Sequence, residues 1–395
     1  MSGTEPSAVS KWLSHIRALA EEIGPRGSTM EGERRGSEYC RSIFERLGYL
    51  PVVEHFSSAR SIFLPHLIAS LSMLLAYAIY PLAGRLSAAL AALLSLVMLV
   101  SDLLELGFHQ NLLRWLMPKG QSQNVYATVP PSGEHRRDLV LVGHVDSQRT
   151  PLIFRSYRWV SVYKAFTTAV FILFVIQVVL FLLGAVTQWS WIWFAAFPSA
   201  VGAVLLAAIC LEADHTPFTA GANDNASGAG LVLALAEHLG NAPLQNTRVW
   251  MVCTGCEEVQ HYGAIDFFHR HKDEFTLPSA IAFELMGCAG PGWLVKEGII
   301  VPFYSDRKLV ALAEQVAAAN PDLGAYPVSI NGGNTEMTDA LQVGIPAITL
   351  FGMTPDGISP YWHQVGDTCD KLDPVVMDKT YAYTLAYIRA LDQGV

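Results

Sequence analysis

DLVLVGHVD, residues 138–146, is an apolar run closed by two polar side chains, His144 and Asp146. A strand with one wet face alternates apolar and polar residues. This run does not, so it reads as a strand buried on both faces. Its closing imidazole and carboxylate sit where buried parallel strands present chemistry, at the carboxyl edge of the sheet. Similar runs recur at TRVWMVCTG (247–255), SAIAFELMG (279–287) and IPAITLFG (345–352). Shorter ones are PVVEHF (51–56), NVYATV (124–129) and GWLVK (292–296). Residues 225–239, 259–271, 306–319 and 374–393 fit helices between them. Two more helices come first, AVSKWLSHIRALAEEI (8–23) and EGERRGSEYCRSIFERL (31–47), the second stopped by Gly48. Strands alternating with helices predict an α/β fold, a mixed, mostly parallel sheet with helices on both faces.

Two hydrophobic blocks interrupt that pattern. The chain has 395 residues, of which 51% are hydrophobic and 15% charged, where a soluble domain carries about 25% charged residues. Between Arg60 and Arg85 there is no Asp, Glu, Lys or Arg, and LSAALAALLSLVMLVS (86–101) follows before Asp102. Residues 165–211 contain no charged residue and no histidine. A membrane span needs about 20 apolar residues. The blocks therefore predict four transmembrane helices in two hairpins, 61–119 and 151–213, with Asp102 and Glu105 facing other helices or the interface.

The rest, 1–60, 120–150 and 214–395, reads as one discontinuous domain, since an even number of spans returns the chain to the same side each time. Arg60, Arg114, Lys119, Arg155, Arg158 and Lys164 flank the side of that domain, and Arg85 alone flanks the other. Positive residues favour the cytoplasm, so the domain is expected there. No apolar leader is visible in the first sixty residues. The net charge of −9 gives no basic excess to neutralise phosphates, which excludes a nucleic-acid partner. Six cysteines are too few for a disulfide scaffold in a chain this long. A transporter is disfavoured because the second block has no charge to mark a substrate path. Homo-oligomerisation is left open.

Five places carry polar groups at strand ends or helix starts: His144 with Asp146, Asp224 in GANDNASG (221–228), Glu257 and Glu258 after VWMVCTGC, Glu284 after IAF, and His363 in SPYWHQVGDTCD (359–370). Singly, each has a plain reading. Paired glutamates suit a helix N-terminus, and Asn-Asp-Asn suits a turn or cap. Together they gather carboxylates beside buried strands, which is costly without a cation. Two histidines and three carboxylates suit zinc or a neighbouring divalent ion, with one carboxylate to spare. A pair of ions would use the whole set. Cys253 and Cys256 form C-T-G-C, but Cys253 falls in a buried strand and reads as a small hydrophobe.

The order H-V-D, G-A-N-D-N-A-S-G, T-G-C-E-E, F-E-L-M-G and Y-W-H-x-x-x-D-T resembles the di-zinc exopeptidases of peptidase clan MH, which include leucine aminopeptidases, glutamate carboxypeptidase and glutaminyl cyclases. IGPRGSTMEGERRGSEYCRSIFERLGY (23–49) looks like the first two helices of that superfamily. The resemblance covers nearly all of the non-membrane residues and none of the hydrophobic blocks. It implies two Zn2+ ions per chain. His144 and Glu284 would hold one, Glu258 and His363 the other, and Asp224 would bridge them. Asp146 would fix the tautomer of His144. Glu257 would take a proton from the bridging water and pass it to the leaving amine.

Three departures accompany the likeness. Glu284 stands where the family usually has Asp. NGGNTEMTDA (331–340) stands where many members have Ser-Asp-His after an oxyanion-assisting Tyr, leaving Asn331, Asn334 or Tyr361 for that role. Hydrophobic hairpins interrupt the domain. The resemblance thus implies a membrane-embedded di-zinc aminopeptidase or related amide hydrolase. Its alternatives are a glutaminyl-cyclase-like cyclotransferase and a catalytically dead scaffold on a peptidase fold. The lipid bilayer is then a partner. With only 12 positions between Glu212 and Asp224, the expected substrate is a peptide or an amphiphilic amide drawn from the interface.

Overall fold

The computed structural model describes residues 7–299 and 301–394. The chain divides into two compact units, 1–58 with 119–149 and 218–395, and 59–118 with 150–217.

The first unit is built on one sheet. Among the described residues its strands are β1 (Val52–Ala59), β2 (Lys119–Val129), β3 (Arg137–His144), β4 (Thr247–Thr254), β5 (Ser279–Glu284), β6 (Gly292–Glu297), β7 (Phe303–Tyr304), β8 (Tyr326–Ser329) and β9 (Ala347–Phe351). Their order is β1-β2-β4-β3-β5-β9-β6-β7, with β8 beside β6. The centre, β4-β3-β5-β9, is parallel. β2 joins β4 antiparallel, and β6 joins β9 and β7 antiparallel. The mixed sheet agrees with the reading of the sequence.

β3 explains why its residues are apolar without alternation. Leu139 and Leu141 pack into a core with Trp12, Ile16 and Leu231 on one face. Val140 and Val142 pack with Phe267, Phe268 and Met337 on the other. Successive residues of a strand point to opposite faces, so helices on both sides demand an apolar residue at every position. The helices Ala8–Arg17, Ser227–Asn241 and Pro374–Gln393 contribute to the first core, and Tyr262–His271 and Met337–Gln342 to the second.

The second unit is helical. Three of its helices are long and apolar enough to cross a membrane: Gly84–Leu106, Tyr157–Thr187 and Trp191–His215, of 23, 31 and 25 residues. The fourth expected span, Phe63–Ile79, is apolar but has 17 residues and falls short of that length. Within this unit small and polar side chains turn inward, among them Ser70, Ala91, Ser95 and Ala203, while Leu90, Leu93, Ile172 and Val179 point outward. Small inward residues let helices approach closely where outward apolar residues have no competing core to enter. Gln177 Nε2 donates to Met73 O at 3.1 Å and to Ser95 Oγ at 3.1 Å. His66 Nδ1 lies 2.7 Å from Asp102 Oδ1, and Arg114 Nε 3.1 Å from Glu105 Oε2, so both acids face protein partners inside the unit.

Candidate metal centre

Three neighbouring parallel strands deliver three of the polar positions. β3 ends at His144, β4 runs through Thr254 into Glu257 and Glu258, and β5 ends at Glu284. Asp224 lies in a kink, Ala222–Ala226, where its own backbone is non-helical (φ −116°, ψ 91°), just before helix Ser227–Asn241. Glycine allows that helix to sit close. A Cβ at Gly143 would lie 2.7 Å from the Gly228 carbonyl carbon, and one at Gly228 would lie 2.4 Å from Phe283 O. His363 comes from the loop between β9 and helix Pro374–Gln393.

The five expected ligands meet beside Glu257, and these six side chains and Asp146 are all buried. His144, Asp224 and Glu284 offer ligand atoms within 4.8 Å of one another, and so do Asp224, Glu258 and His363. Asp224 belongs to both groups. Its Oδ1 is 3.6 Å from His144 Nε2 and its Oδ2 3.3 Å from His363 Nε2. Glu284 Oε1 lies 3.5 Å from His144 Nε2, and Glu258 Oε2 lies 3.3 Å from His363 Nε2. Glu257 stands beside them, its Oε2 3.8 Å from His144 Nε2.

Asp146 does more than orient the histidine. His144 Nδ1 meets the Asp146 backbone oxygen at 3.1 Å, with carboxylate Oδ1 farther away at 3.4 Å. The carboxylate instead accepts from Glu257 N and Glu258 N, both at 3.1 Å, and from Ser28 Oγ at 2.6 Å. It therefore holds the backbone that carries the paired glutamates.

Several supporting residues escaped the sequence reading. Glu33 accepts from Cys256 N at 2.8 Å, one residue before that pair. Asp367 accepts from Asn223 N at 2.7 Å and Asp224 N at 2.9 Å. Arg26 is fully buried and donates to the carbonyls of Leu19, Gly24, Val145, Ala220 and Gly221. His261 stands between Glu257 and Asp339. Arg26, Glu33, Asp339 and Asp367 fall in IGPRG, EGERRG, NTEMTDA and WHQVGD, but nothing local gives them these partners. Of the three expected oxyanion assistants, Asn331 is exposed, Asn334 donates to Thr338 Oγ1 at 2.8 Å, and Tyr361 is partly buried in the His363 loop. Cys253 is a buried free thiol, as its strand position implied.

The electrostatics call for positive charge. Burial and the Asp224 charge push Glu258 above the usual carboxylate range, and burial does the same to Glu284. Burial alone would lower His363 and His144, but Glu258 outweighs it at the first and Glu257 and Glu284 at the second, so both are raised. Protons thus stand in where a cation would neutralise the carboxylates. Glu258 Oε1 is buried without a hydrogen-bond partner. Two imidazoles, three carboxylates and an orphaned carboxylate oxygen form a donor set that fits zinc.

Residues 212–388 match Peptidase family M28. The match takes in Asp224, Glu257, Glu258, Glu284 and His363, and His144 precedes it. Solved structures share the fold of this chain. Glutaminyl cyclase from Fimbriiglobus ruber aligns at 16% identity over 99% of this chain and 97% of its own, with a TM-score of 0.58. BSAP, a zinc aminopeptidase from Bacillus subtilis, aligns at 13% over 98% and 95%, TM-score 0.57. An aminopeptidase from Aneurinibacillus sp. strain AM-1 aligns at 14% over 97% and 93%, TM-score 0.57. No curated protein matches the sequence.

Proposed function

We propose that the protein is a membrane-embedded, zinc-dependent amide hydrolase of aminopeptidase type, with two ions per chain. The observation that carries this reading is the pair of three-ligand groups sharing Asp224, with Glu257 beside them. His144, Asp224 and Glu284 would hold one ion, and Asp224, Glu258 and His363 the other. Bound zinc would polarise the scissile carbonyl and make water more acidic. Glu257 Oε2 faces the ligand groups, where it takes a proton from the attacking water and returns it to the leaving amine nitrogen. Asp146 and Glu33 keep that carboxylate in place through the backbone of residues 256–258.

The glutaminyl cyclases among the solved structures favour one second reading, cyclisation of an N-terminal glutamine with loss of ammonia. Four spans, counting Phe63–Ile79, and a cytoplasmic domain complete the proposal. Its substrate is a peptide or amphiphilic amide, because the apolar helix Trp191–His215 ends only a few residues before Asp224.

Purified protein in bilayer discs, offered aminoacyl amides of rising chain length and a glutaminyl peptide, tests all of this. Release of a free amino acid, lost with a chelator and restored by zinc, is expected. Pyroglutamate would select the cyclase reading. Each added methylene should raise kcat/KM by up to about fourfold, the equivalent of ~0.8 kcal/mol of capture, and a flat profile refutes the amphiphilic substrate.

A further inference from the structure

A third imidazole stands behind the paired glutamates. His261 precedes helix Tyr262–His271 in left-handed backbone, φ 56°, with its N–H bonded to Glu257 O at 2.9 Å. Its ring is buried between two carboxylates. Nε2 lies 3.0 Å from Glu257 Oε1, and Nδ1 lies 2.8 Å from Asp339 Oδ2. Glu257 Oε2 points the other way, toward His144.

The far end of this chain of contacts is anchored. Asp339 belongs to helix Met337–Gln342 and is itself buried. Thr338, next to it, donates to Glu297 Oε1 at 2.5 Å, and Glu336, at the start of the helix, accepts from Thr254 Oγ1. β4 and β6 therefore fix the helix that fixes Asp339. The Nδ1 edge of the ring is held by Asp339, and the Nε2 edge is thereby aimed at Glu257. The two oxygens of Glu257 are thereby made different. One shares a proton with the imidazole, and the other faces the ligand groups.

We infer that His261, oriented by Asp339, is a positioning residue for Glu257: it clamps Oε1 and leaves Oε2 as the atom that exchanges protons during amide cleavage. This rests on the hydrolase reading above. It adds a contact that neither the ligand groups nor Asp146 supplies, since Asp146 fixes only the backbone of the pair. The competing account is a buried histidine satisfied by two acids, contributing to stability alone.

The test uses the full-length protein in detergent, with leucine p-nitroanilide as substrate and zinc content measured alongside. His261→Leu removes both contacts, and His261→Gln keeps a donor for Glu257. In His261→Leu, kcat should fall about 10–100-fold, while KM stays within about twofold and zinc content is unchanged. His261→Gln should recover much of the loss, and Asp339→Asn should fall between the two. Unchanged kcat, or a loss that follows KM and zinc content, overturns the inference. A second readout needs no turnover. In protein carrying 15N-labelled histidine, the ring signals of His261, assigned by their loss in His261→Gln, should move in both Glu257→Gln and Asp339→Asn. Signals unmoved by Glu257→Gln refute the clamp whatever the activity. If the wild type cleaves no amide, the hydrolase reading falls, and these signals alone decide whether the clamp exists.

Discussion

At the scale of single residues, the division of labour between neighbours can be tested. Glu257 and Glu258 are adjacent, yet one is proposed to move a proton and the other to hold an ion. Glu257→Gln should lower kcat by at least about 10²-fold, the range of a lost general base, with zinc content kept. Asp224→Ala should lose zinc from both groups, because Asp224 belongs to both. Metal analysis beside the kinetics checks each, and full activity in Glu257→Gln would remove it as the base. The six polar residues were legible because each ends an apolar run or follows one closely. Glu33 was not, because EGERRG reads as the wet face of a helix. Nothing local shows that its carboxylate meets Cys256 N, a residue far away in sequence. His261 was hidden in the same way, since its meaning depends on Asp339 arriving from another helix.

At the scale of elements, long apolar strands were placed within a few residues, and short ones were missed. β7 has 2 residues and β8 has 4, too few for a period to show. The helix read over 8–23 is α-helical only to Arg17, and Ala18–Ile23 winds as a π-helix. A tertiary contact accompanies the change. The Leu19 carbonyl accepts from Gly24 N at 3.1 Å and also from the buried Arg26 guanidinium at 2.9 Å. Left-handed backbone gathers near the site, at Cys256 (φ 55°), Leu285 (φ 57°) and His363 (φ 54°), each beside or at a proposed site residue. Such conformations cost of order 1 kcal/mol or more each and persist where the surroundings over-determine them.

The packing of the first two helices also sets a pH response. His15, on Ala8–Arg17, is buried against Tyr39 on Glu31–Arg46, with Nδ1 2.8 Å from Tyr39 Oη. Burial lowers its pKa from 6.5 to about 4, against the raising effect of the Glu237 charge. The folded state thus holds it neutral while the unfolded chain protonates near 6.5. Stability is full above that value and falls as pH drops from about 6.5 toward 4, by up to about 3 kcal/mol. Melting temperatures of His15→Phe and wild type across this window should converge or cross as the pH falls. Parallel curves would show that His15 carries no such linkage.

At the scale of the whole molecule, composition separated the helical unit from the sheet unit, because lipid-compatible helices lack charge over lengths no ordinary core helix needs. What composition did not show is that Phe63–Ile79 has only 17 residues. The proposed topology puts the C-terminus and the six site residues in the cytoplasm. Reporter fusions at the C-terminus and near Gly84 should report opposite sides, with the C-terminus inside. A translocated C-terminus would reverse the assignment.

The interleaving of sheet and helices also has a consequence for synthesis. β1 leaves the ribosome before the first apolar block, and β2 and β3 before the second, whereas β4 and β5, the two neighbours of β3, come after both. The nascent chain must therefore commit its apolar helices while β3 is still without partners and apolar on both faces. His144 waits at the end of that strand for Asp224, then Glu258, then Glu284, and last for His363. Neither three-ligand group that contains Asp224 exists before β3 has closed on β5 or the His363 loop has been made, so metal capture has to follow synthesis of both apolar blocks.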